Sequence, residues 1–427
     1  MKKIILLITG ILFVMGVNAQ RTLESCYQKA RENYPIIKQL SLIERARELN
    51  LATVSKNWIP QISLTGRVSW QSDVTALPDR FLSILEQMGV TDVAFPGKDQ
   101  YNFALNLNQV IWDGGAMATQ KKMAVSQAEI NKEQVEVSLY NIYYQVNQLF
   151  FNILLLDMQQ ELNQLFIEEL EKDSRTIESY MANGVAQQTD LDNIRVAILD
   201  AQQKNIEMKS LQKAALLVLS AFIGEEVKNA IELQLPEENN PKNTGVRPEI
   251  TLFNAQIKQL DIQHKMLYTK GMPRIALFAT GALGNPGLNM FKSGFTPYFM
   301  GGVNLLWNFG GLYTRNNDVQ NISTMQKTIE VQKETFLFNT KQKTTQQNAE
   351  IEKFRTLLEQ DDEIIVLRSK IKKSSEEKVK NGTLSVSDFL RDTTMELIAK
   401  QTKLLHEIQL LQAVSQLQLE TGIDHNK

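Results

Sequence analysis

Charged residues, glutamine and leucine dominate two very long stretches of the chain, and in the first of them apolar residues recur every three or four positions. Residues 116–182 and 312–380 contain neither proline nor glycine. At 1.5 Å per residue, each would form a helix about 100 Å long. In the first stretch, positions alternating by four and three predict a coiled-coil seam: Val135, Leu139, Ile142, Val146, Leu149, Ile153 and Leu156. A leucine heptad predicts a return helix after the second stretch: Leu390, Leu397, Leu404 and Leu411.

Shorter segments alternate between apolar and polar residues with a period of two, as strands with one apolar face do. The alternation is strict in 101–108, clear in 61–70, and weaker near 273–283 and 296–308. Such segments are long enough to cross a bilayer when tilted, although a sheet covering a soluble core would alternate in the same way. Aromatic residues near the strand ends suit the two membrane interfaces: Trp58, Trp70, Trp112, Trp307 and Tyr298.

The same order of elements occurs twice. Proline pairs 25 residues apart open both halves, and "VIWDGGAM" at 110–117 resembles "LLWNFGGL" at 305–312. "NGVAQQTDL" and "NGTLSVSDFL" then follow the two long helical stretches. We therefore predict a signal peptide at 1–19, a first structural repeat at 20–235, a linker at 236–245 and a second repeat at 246–427. Each repeat would contain a helix, a β-hairpin and a long helical hairpin.

The first residues and the composition narrow the cellular context. "MKKIILLITGILFVMGVNAQ" has basic residues, an apolar run and a small-residue exit, which are features of a signal peptide cleaved after Ala19. The single cysteine, Cys26, allows no internal disulfide and lies too far from this site to carry a lipid anchor. The formal net charge of −2 gives no reason to expect nucleic acid. No later run reaches the roughly 20 apolar residues of a spanning helix.

The number of strands predicts an oligomer. Single-chain membrane barrels have at least about eight strands, and lipid does not tolerate an open sheet edge. This chain supplies four. If these strands cross a membrane, several copies must share one barrel.

The combination of motifs resembles the TolC family of outer-membrane efflux proteins. It consists of the strands led by Pro60 and Pro273, "WDGG" at 112–115, "NFGG" at 308–311 and the two Asn-Gly tips. The resemblance implies a mainly α fold with a small β part. It also implies a homotrimer that forms a twelve-stranded β-barrel, surrounded by outer-membrane lipid, on a periplasmic α-helical barrel. Such a trimer would be the exit duct of a tripartite efflux or type I secretion system, working with a periplasmic adaptor protein and an inner-membrane pump.

The resemblance also assigns candidate residues. Polar strand residues would line the barrel lumen: Gln61, Arg67, Asn102 and Asn106. Prolines and glycine pairs would mark the turns between strand and helix, because proline cannot continue a helix and glycine frees the backbone: Pro60, Gly114, Gly115, Pro273, Gly310 and Gly311. The tips would contact the adaptor, although Asn-Gly also simply makes a tight turn: Gly184, Val185, Gly382, Thr383 and Leu384.

Aspartates near the tips would form the periplasmic gate: Asp388, Asp392 and Asp190. Arg391 takes the place of the family's second gate aspartate. Val379 and Leu384 stand where well-known members carry the tyrosine and arginine that tie the tips shut. The same aspartates also fit helix starts, where a carboxylate meets the helix dipole and Ser385 and Asp388 have capping-box spacing. Both roles remain open.

Enzyme function is not expected. The three histidines, His264, His406 and His425, have no metal-binding spacing, so neither metal nor cofactor is predicted. The rival interpretation is a soluble periplasmic coiled-coil adaptor or scaffold protein. The sequence assigns neither the cargo nor the role of the segment 73–99, in which "FLSILEQMGV" predicts a short helix.

Overall fold

The computed structural model describes residues 21–89, 95–184, 186–238, 245–292 and 294–422. The predicted signal peptide, Val185 and most of the predicted linker lie outside these residues.

The chain is mostly helical and carries one small antiparallel sheet, as predicted. Short 3₁₀ turns occupy Pro35–Ile37 and Ala230–Glu232. The helices and strands are α1 Leu23–Asn33, α2 Lys38–Lys56, β1 Gln61–Trp70, α3 Asp79–Gln87, β2 Asp99–Trp112, α4 Ala116–Ala182, α5 Gln188–Ile223, α6 Pro248–Lys270, β3 Arg274–Asn285, β4 Thr296–Leu306, α7 Gly310–Lys380 and α8 Val386–Thr421.

Two helices dominate the fold. α4 has 67 residues and α7 has 71, which confirms the two long helices expected from the runs without proline and glycine. Each is followed, after a short turn, by a return helix of 36 residues. Within the described part of the chain, no helix is both long and apolar enough to cross a membrane.

The four strands form one antiparallel sheet in the order β1-β2-β3-β4. The two hairpins predicted from the two repeats therefore lie side by side. Leu64 pairs with Leu105, Leu105 with Gly281, and Gly281 with Phe299, which fixes the register across all four strands. β1 and β4 are the two edges of the sheet.

The chain divides into two compact units, and each draws on both repeats. One unit comprises residues up to Gln39, Val135–Ile250 and the chain from Glu334 onward. The other comprises Leu40–Gln134 and Thr251–Lys333, and it contains the whole sheet.

The core of the first unit is wider than a coiled-coil seam. Six of the seven predicted seam residues of α4 are buried, and Leu149 is half-buried. Additional aromatic residues beside the seam are also buried: Tyr140, Tyr143, Phe150 and Phe151. The expected two-row seam was therefore too narrow, because other helices cover the same face of α4. The Tyr27 ring from α1 lies 4.9 Å from the Tyr143 ring, and the Tyr140 hydroxyl donates to the Leu419 carbonyl of α8 at 2.6 Å.

The predicted heptad on the return helix is only partly a packing seam. Leu390 is buried, but Leu397, Leu404 and Leu411 are half-buried. The buried residues of α8 instead cluster near its two ends, at 386–396 and 408–420. These are the parts of α8 that other helices cover most completely.

A buried arginine stabilises the first unit where α6 begins. The Arg247 guanidinium donates to Glu249 at 2.6 Å and to both Glu420 and the Tyr144 hydroxyl at about 3 Å. It also lies 5.1 Å from the Tyr140 ring centroid. Burial lowers the pKa of this guanidinium, but its carboxylate partners outweigh that effect and keep it charged. Arg247 thus joins α6 to α4 and α8.

Candidate functional site

The sheet exposes one continuous apolar face. Its register places alternate residues of all four strands on this face, and the large apolar members are exposed rather than covered. Leu64 is 78% exposed and Phe299 is 73% exposed. Others on this face include Ile62, Val68, Phe103, Leu105, Leu283 and Val303. Soluble proteins rarely expose contiguous apolar patches of this kind, so the face fits contact with lipid or with another chain.

The opposite face carries the four predicted lumen residues. Arg67 pairs with Asn102, and Asn106 pairs with Ser63 and Thr280 on its two sides. The Asn106 amide donates to the Thr65 hydroxyl at 3.0 Å and accepts from the Thr280 hydroxyl at the same distance. These hydrogen bonds run across three strands.

This second face is less polar in the second hairpin. Phe278 and Met300 lie on it, in line with the weaker alternation of that hairpin. Asn102 still finds a polar partner there, because its amide donates to the Tyr298 hydroxyl at 2.7 Å. The two faces therefore differ most clearly in the first hairpin.

Four of the five aromatic residues noted in the sequence lie near the two ends of the sheet. Trp58, Trp112 and Trp307 are near the end where β1 begins and β2 ends, and Trp70 is near the other end. Tyr298 is close to the start of β4, but the register places it level with Thr65 in the middle of β1. All four tryptophans are exposed.

The strand–helix turns are not equivalent in the two repeats. Pro60 and Pro273 directly precede β1 and β3. Gly114 and Gly115 adopt left-handed conformations, with φ of 66° and 85°. Gly310 and Gly311 instead form the first residues of α7 and do not have positive φ.

A polar side chain caps the helix in both of these turns, which the sequence analysis did not identify. The Asp113 carboxylate accepts hydrogen bonds from the backbone N–H groups of Gly115 and Met117 at 2.9 and 2.6 Å. In the second repeat, the Asn308 side chain accepts from the Gly310 N–H at 2.9 Å. In the sequence, these caps could have been recognised from the Asp and the Asn that directly follow tryptophan in the two repeats.

The tip glycines terminate the long helices. Gly184 and Gly382 follow α4 and α7 with φ of 73° and 68°, the left-handed conformation of a helix C-terminus. Gly184 and Thr383 are exposed, whereas Leu384 is half-buried. The Thr383 hydroxyl donates to the Lys378 carbonyl at 3.0 Å.

The three candidate gate residues all have local partners. The Asp190 carboxylate accepts from the Gln187 N–H at 2.9 Å. The Ser385 hydroxyl donates to the Asp388 carboxylate at 2.7 Å and accepts from the Asp388 N–H at 3.1 Å. Asp190 therefore takes part in a capping box at the start of α5, whereas at α8 the cap is Ser385 and Asp388 accepts a hydrogen bond from its hydroxyl. The side chain of Asp392 is 14% exposed and accepts from the Ser375 hydroxyl at 2.5 Å, so it is the least accessible of the three.

Arg391 lies between the two aspartates of the second tip. Its guanidinium is 3.4 Å from the Asp388 carboxylate and 4.0 Å from that of Asp392. It offsets part of the negative charge at this tip.

An apolar cluster joins α4, α5, α7 and α8 close to the tips, and we call it the tip cluster. Val379, which the sequence singled out only as a departure from the family pattern, is buried in it, and Leu384 packs against it. Its buried members are Phe166, Ile167, Leu170, Ile177, Ile194, Ala201, Val379, Val386, Phe389 and Leu390. Contacts between residues so far apart in the chain leave no local sequence signal.

A charged network borders the tip cluster. The Lys372 ammonium of α7 binds Glu169 of α4 and, at 2.9 Å, Glu396 of α8. Ser369 and Lys400 also donate to Glu396. Burial raises the pKa of the Glu396 carboxyl, but these donors outweigh it and hold the pKa at about 2. The network was not predicted either.

The segment 73–99 contains the helix that its sequence predicted. α3 spans Asp79–Gln87, and Phe81, Ile84 and Met88 are exposed. It connects β1 to β2 at the end of the sheet marked by Trp70.

Comparison with known proteins agrees with this arrangement. Residues 26–225 match the family model described as outer membrane efflux protein. A search of curated proteins found no match.

Several solved outer-membrane channels share the fold. The chain is 12% identical to the OprN outer-membrane channel, with a TM-score of 0.68 over 94% of this chain and 90% of that one. It is 14% identical to the CmeC channel of Campylobacter jejuni, with a TM-score of 0.64 over 95% and 87%. The MtrE channel of Neisseria gonorrhoeae, solved in its open state, is 15% identical, with a TM-score of 0.64 over 94% and 88%.

The fold is thus that of outer-membrane channels. Residues 26–225, just under half of the chain, match the outer membrane efflux protein family, and the whole chain shares the fold of TolC-like channels. It is located in the outer membrane and extends into the periplasm. This family is one of channels, not of enzymes.

Proposed function

We propose that this protein is the outer-membrane exit duct of a tripartite efflux or type I secretion system. The observation that carries the proposal is the four-stranded sheet with an exposed apolar face, a hydrogen-bonded polar face and two edges. Lipid would cover the first face, and water would fill the space beside the second.

The sheet edges support a trimer. β1 and β4 each leave backbone groups that no other strand in the described part of the chain pairs, and lipid does not tolerate such edges. If β1 of one copy pairs with β4 of the next, three copies close a barrel of twelve strands. Gln61, Arg67, Asn102 and Asn106 would then line its lumen.

The helical tips would form the periplasmic gate. Asp388 is the best candidate, because its side chain is 43% exposed even though it accepts a hydrogen bond from Ser385, the cap of α8. Asp190 has the corresponding place in the first repeat. Asp392 would contribute less, since Ser375 and Arg391 engage it. A ring of carboxylates at a constriction favours cations over anions.

The exposed tips would bind a periplasmic adaptor, which in turn would connect the duct to an inner-membrane pump. Gly184, Gly382 and Thr383 are exposed and free of the tip cluster. Leu384 would act mainly through packing. Val185 is also a candidate contact.

Conductance in a planar bilayer tests the duct. We expect the purified protein to form discrete channels with a preference for cations, and Asp388→Asn to reduce that preference. Asp200→Asn, an exposed change on α5 away from the tip, is the matched control. Absence of channels from correctly assembled protein would refute the duct.

Cross-linking in cells tests the adaptor contact. A photo-reactive residue at Thr383 should capture a periplasmic adaptor, whereas one at Asp200 should not. The rival interpretation, a soluble periplasmic scaffold, predicts no channels and extraction without detergent. The exposed apolar face of the sheet disfavours it.

A further inference from the structure

The charged network above the tips connects helices from both repeats. Glu169 lies on α4, Lys372 on α7 and Glu396 on α8. The Lys372 ammonium binds both carboxylates, and its side chain is 14% exposed. Besides the apolar tip cluster, this ion pair joins the first helical hairpin to the second.

One oxygen of a second carboxylate at this junction has no hydrogen-bond partner among the described residues. Asp173 lies one helical turn after Glu169 on α4, and its Oδ2 atom is buried without a hydrogen bond in the described structure. Lys372 of α7 acts on Asp173, but Glu169 and Glu396 already bind its ammonium group. An ionised Asp173 therefore adds a negative charge that the junction does not balance.

The remaining charged groups nearby do not change this result. On α4, Lys172 partly offsets Glu169, and on α7 Glu376 adds another negative charge. At this level of α8, Arg391 and Asp392 engage each other, and Ser375 donates to Asp392. α5 contributes the apolar side chain of Ile194 to the adjoining tip cluster.

We propose that Lys372 is a positioning residue that holds the two helical hairpins together above the tips, and that protonation of Asp173 strengthens this junction. Its bearing on gating rests on the proposed function, because only a duct has a gate to position. The junction itself is a property of the fold.

The direction of the pH dependence follows from the local environment. Burial and the charge of Glu169 raise the pKa of Asp173 from 3.8 to about 6. A carboxyl group whose pKa is raised on folding weakens the folded arrangement as pH rises from its ordinary value to its raised one. The junction is therefore tightest below pH 3.8, weakens as the pH rises from there, and has lost this contribution once the pH has risen through about 6.

Hydrogen exchange in the full-length protein tests the proposal. Amide exchange in 165–177 and 368–380, corrected for the intrinsic rate, is compared at about pH 5 and about pH 7.5. The two pKa values predict that local opening becomes about tenfold more frequent at the higher pH. Asp173→Asn should abolish this difference, whereas the control Asp200→Asn should retain it.

Lys372 is tested in the same experiment. Lys372→Met should increase exchange at both pH values, and Lys372→Arg should restore most of the protection, because it keeps a charged donor. An identical pH response in the wild type and Asp173→Asn would overturn the role of Asp173. Unchanged exchange in Lys372→Met would overturn that of Lys372. If Lys372→Met fails to assemble, exchange in Lys372→Arg and Asp173→Asn still tests the roles of Lys372 and Asp173.

The two proposals can fail separately. Exchange does not require conduction, so a pH-dependent junction in a protein without channels would contradict only the duct. Channels combined with a pH-independent junction would contradict only the present inference. If both hold, resting conductance should rise with pH in the wild type but not in Asp173→Asn.

Discussion

Leu64→Arg tests whether the apolar sheet face contacts lipid. Leu64 is near the middle of β1, it is 78% exposed, and its neighbour across the strand pair is Leu105. An arginine on the lipid-facing side of a membrane strand costs about 2–4 kcal/mol near the bilayer midplane. Each 1.4 kcal/mol changes an equilibrium tenfold, so the equilibrium constant for folding of each copy would fall by about 30-fold to 700-fold.

Ser63→Arg is the matched control, because Ser63 is the preceding residue and lies on the opposite face, beside Asn106. Both substitutions are exposed in the isolated chain and introduce the same charge. We expect Ser63→Arg to assemble normally and Leu64→Arg to be depleted from outer-membrane fractions. Heat-resistant oligomer on electrophoresis provides the second measurement. Equal assembly of the two variants would refute lipid contact at this face.

Three further outcomes are expected. Gly114→Ala should destabilise the protein more than Gly115→Ala, as measured by thermal denaturation. Both glycines have positive φ, but a Cβ atom at Gly114 would lie 2.3 Å from a methionine Cβ. The nearest side-chain atom to a Cβ at Gly115 would be 3.8 Å away. Arg247→Met should weaken the first unit by about 3–5 kcal/mol, because it leaves Glu420 buried without its main partner. Adding Glu420→Gln should restore part of the lost stability, which hydrogen exchange measures. Glu396, whose pKa is lowered, should stabilise the fold above its ordinary pKa of 4.5 and lose this contribution as pH falls towards 2, which acid titration of wild type against Glu396→Gln measures.

Local sequence patterns predicted the elements of this fold well. The alternation in 61–70 coincides with β1, and the runs without proline and glycine mark α4 and α7. These signals are local, because strand and helix periodicities reflect which side of an element is covered. The width of the α4 core was underestimated, because one helix's pattern does not reveal how many others pack on it. Tyr140 and Phe150 are buried by such additional packing.

The candidate site was only partly predictable. The residues of the polar face follow from strand alternation, so Asn102 and Asn106 could be chosen from sequence. The contact of Lys372 with Glu169 could not, since the two residues are 203 positions apart and lie on different repeats. The glycine pairs show that a similar local sequence does not ensure a similar conformation. Similar "GG" motifs adopt different conformations at 114–115 and 310–311, because only the first pair precedes its helix.

Electron microscopy of the mature protein in detergent tests whether the protein is a trimeric duct. We predict a hollow particle with three-fold symmetry, about 100 Å or more of helical cylinder, and a detergent belt around one end. A compact or solid particle without a belt would contradict the duct, and the duplicated hairpins would then belong to a soluble scaffold.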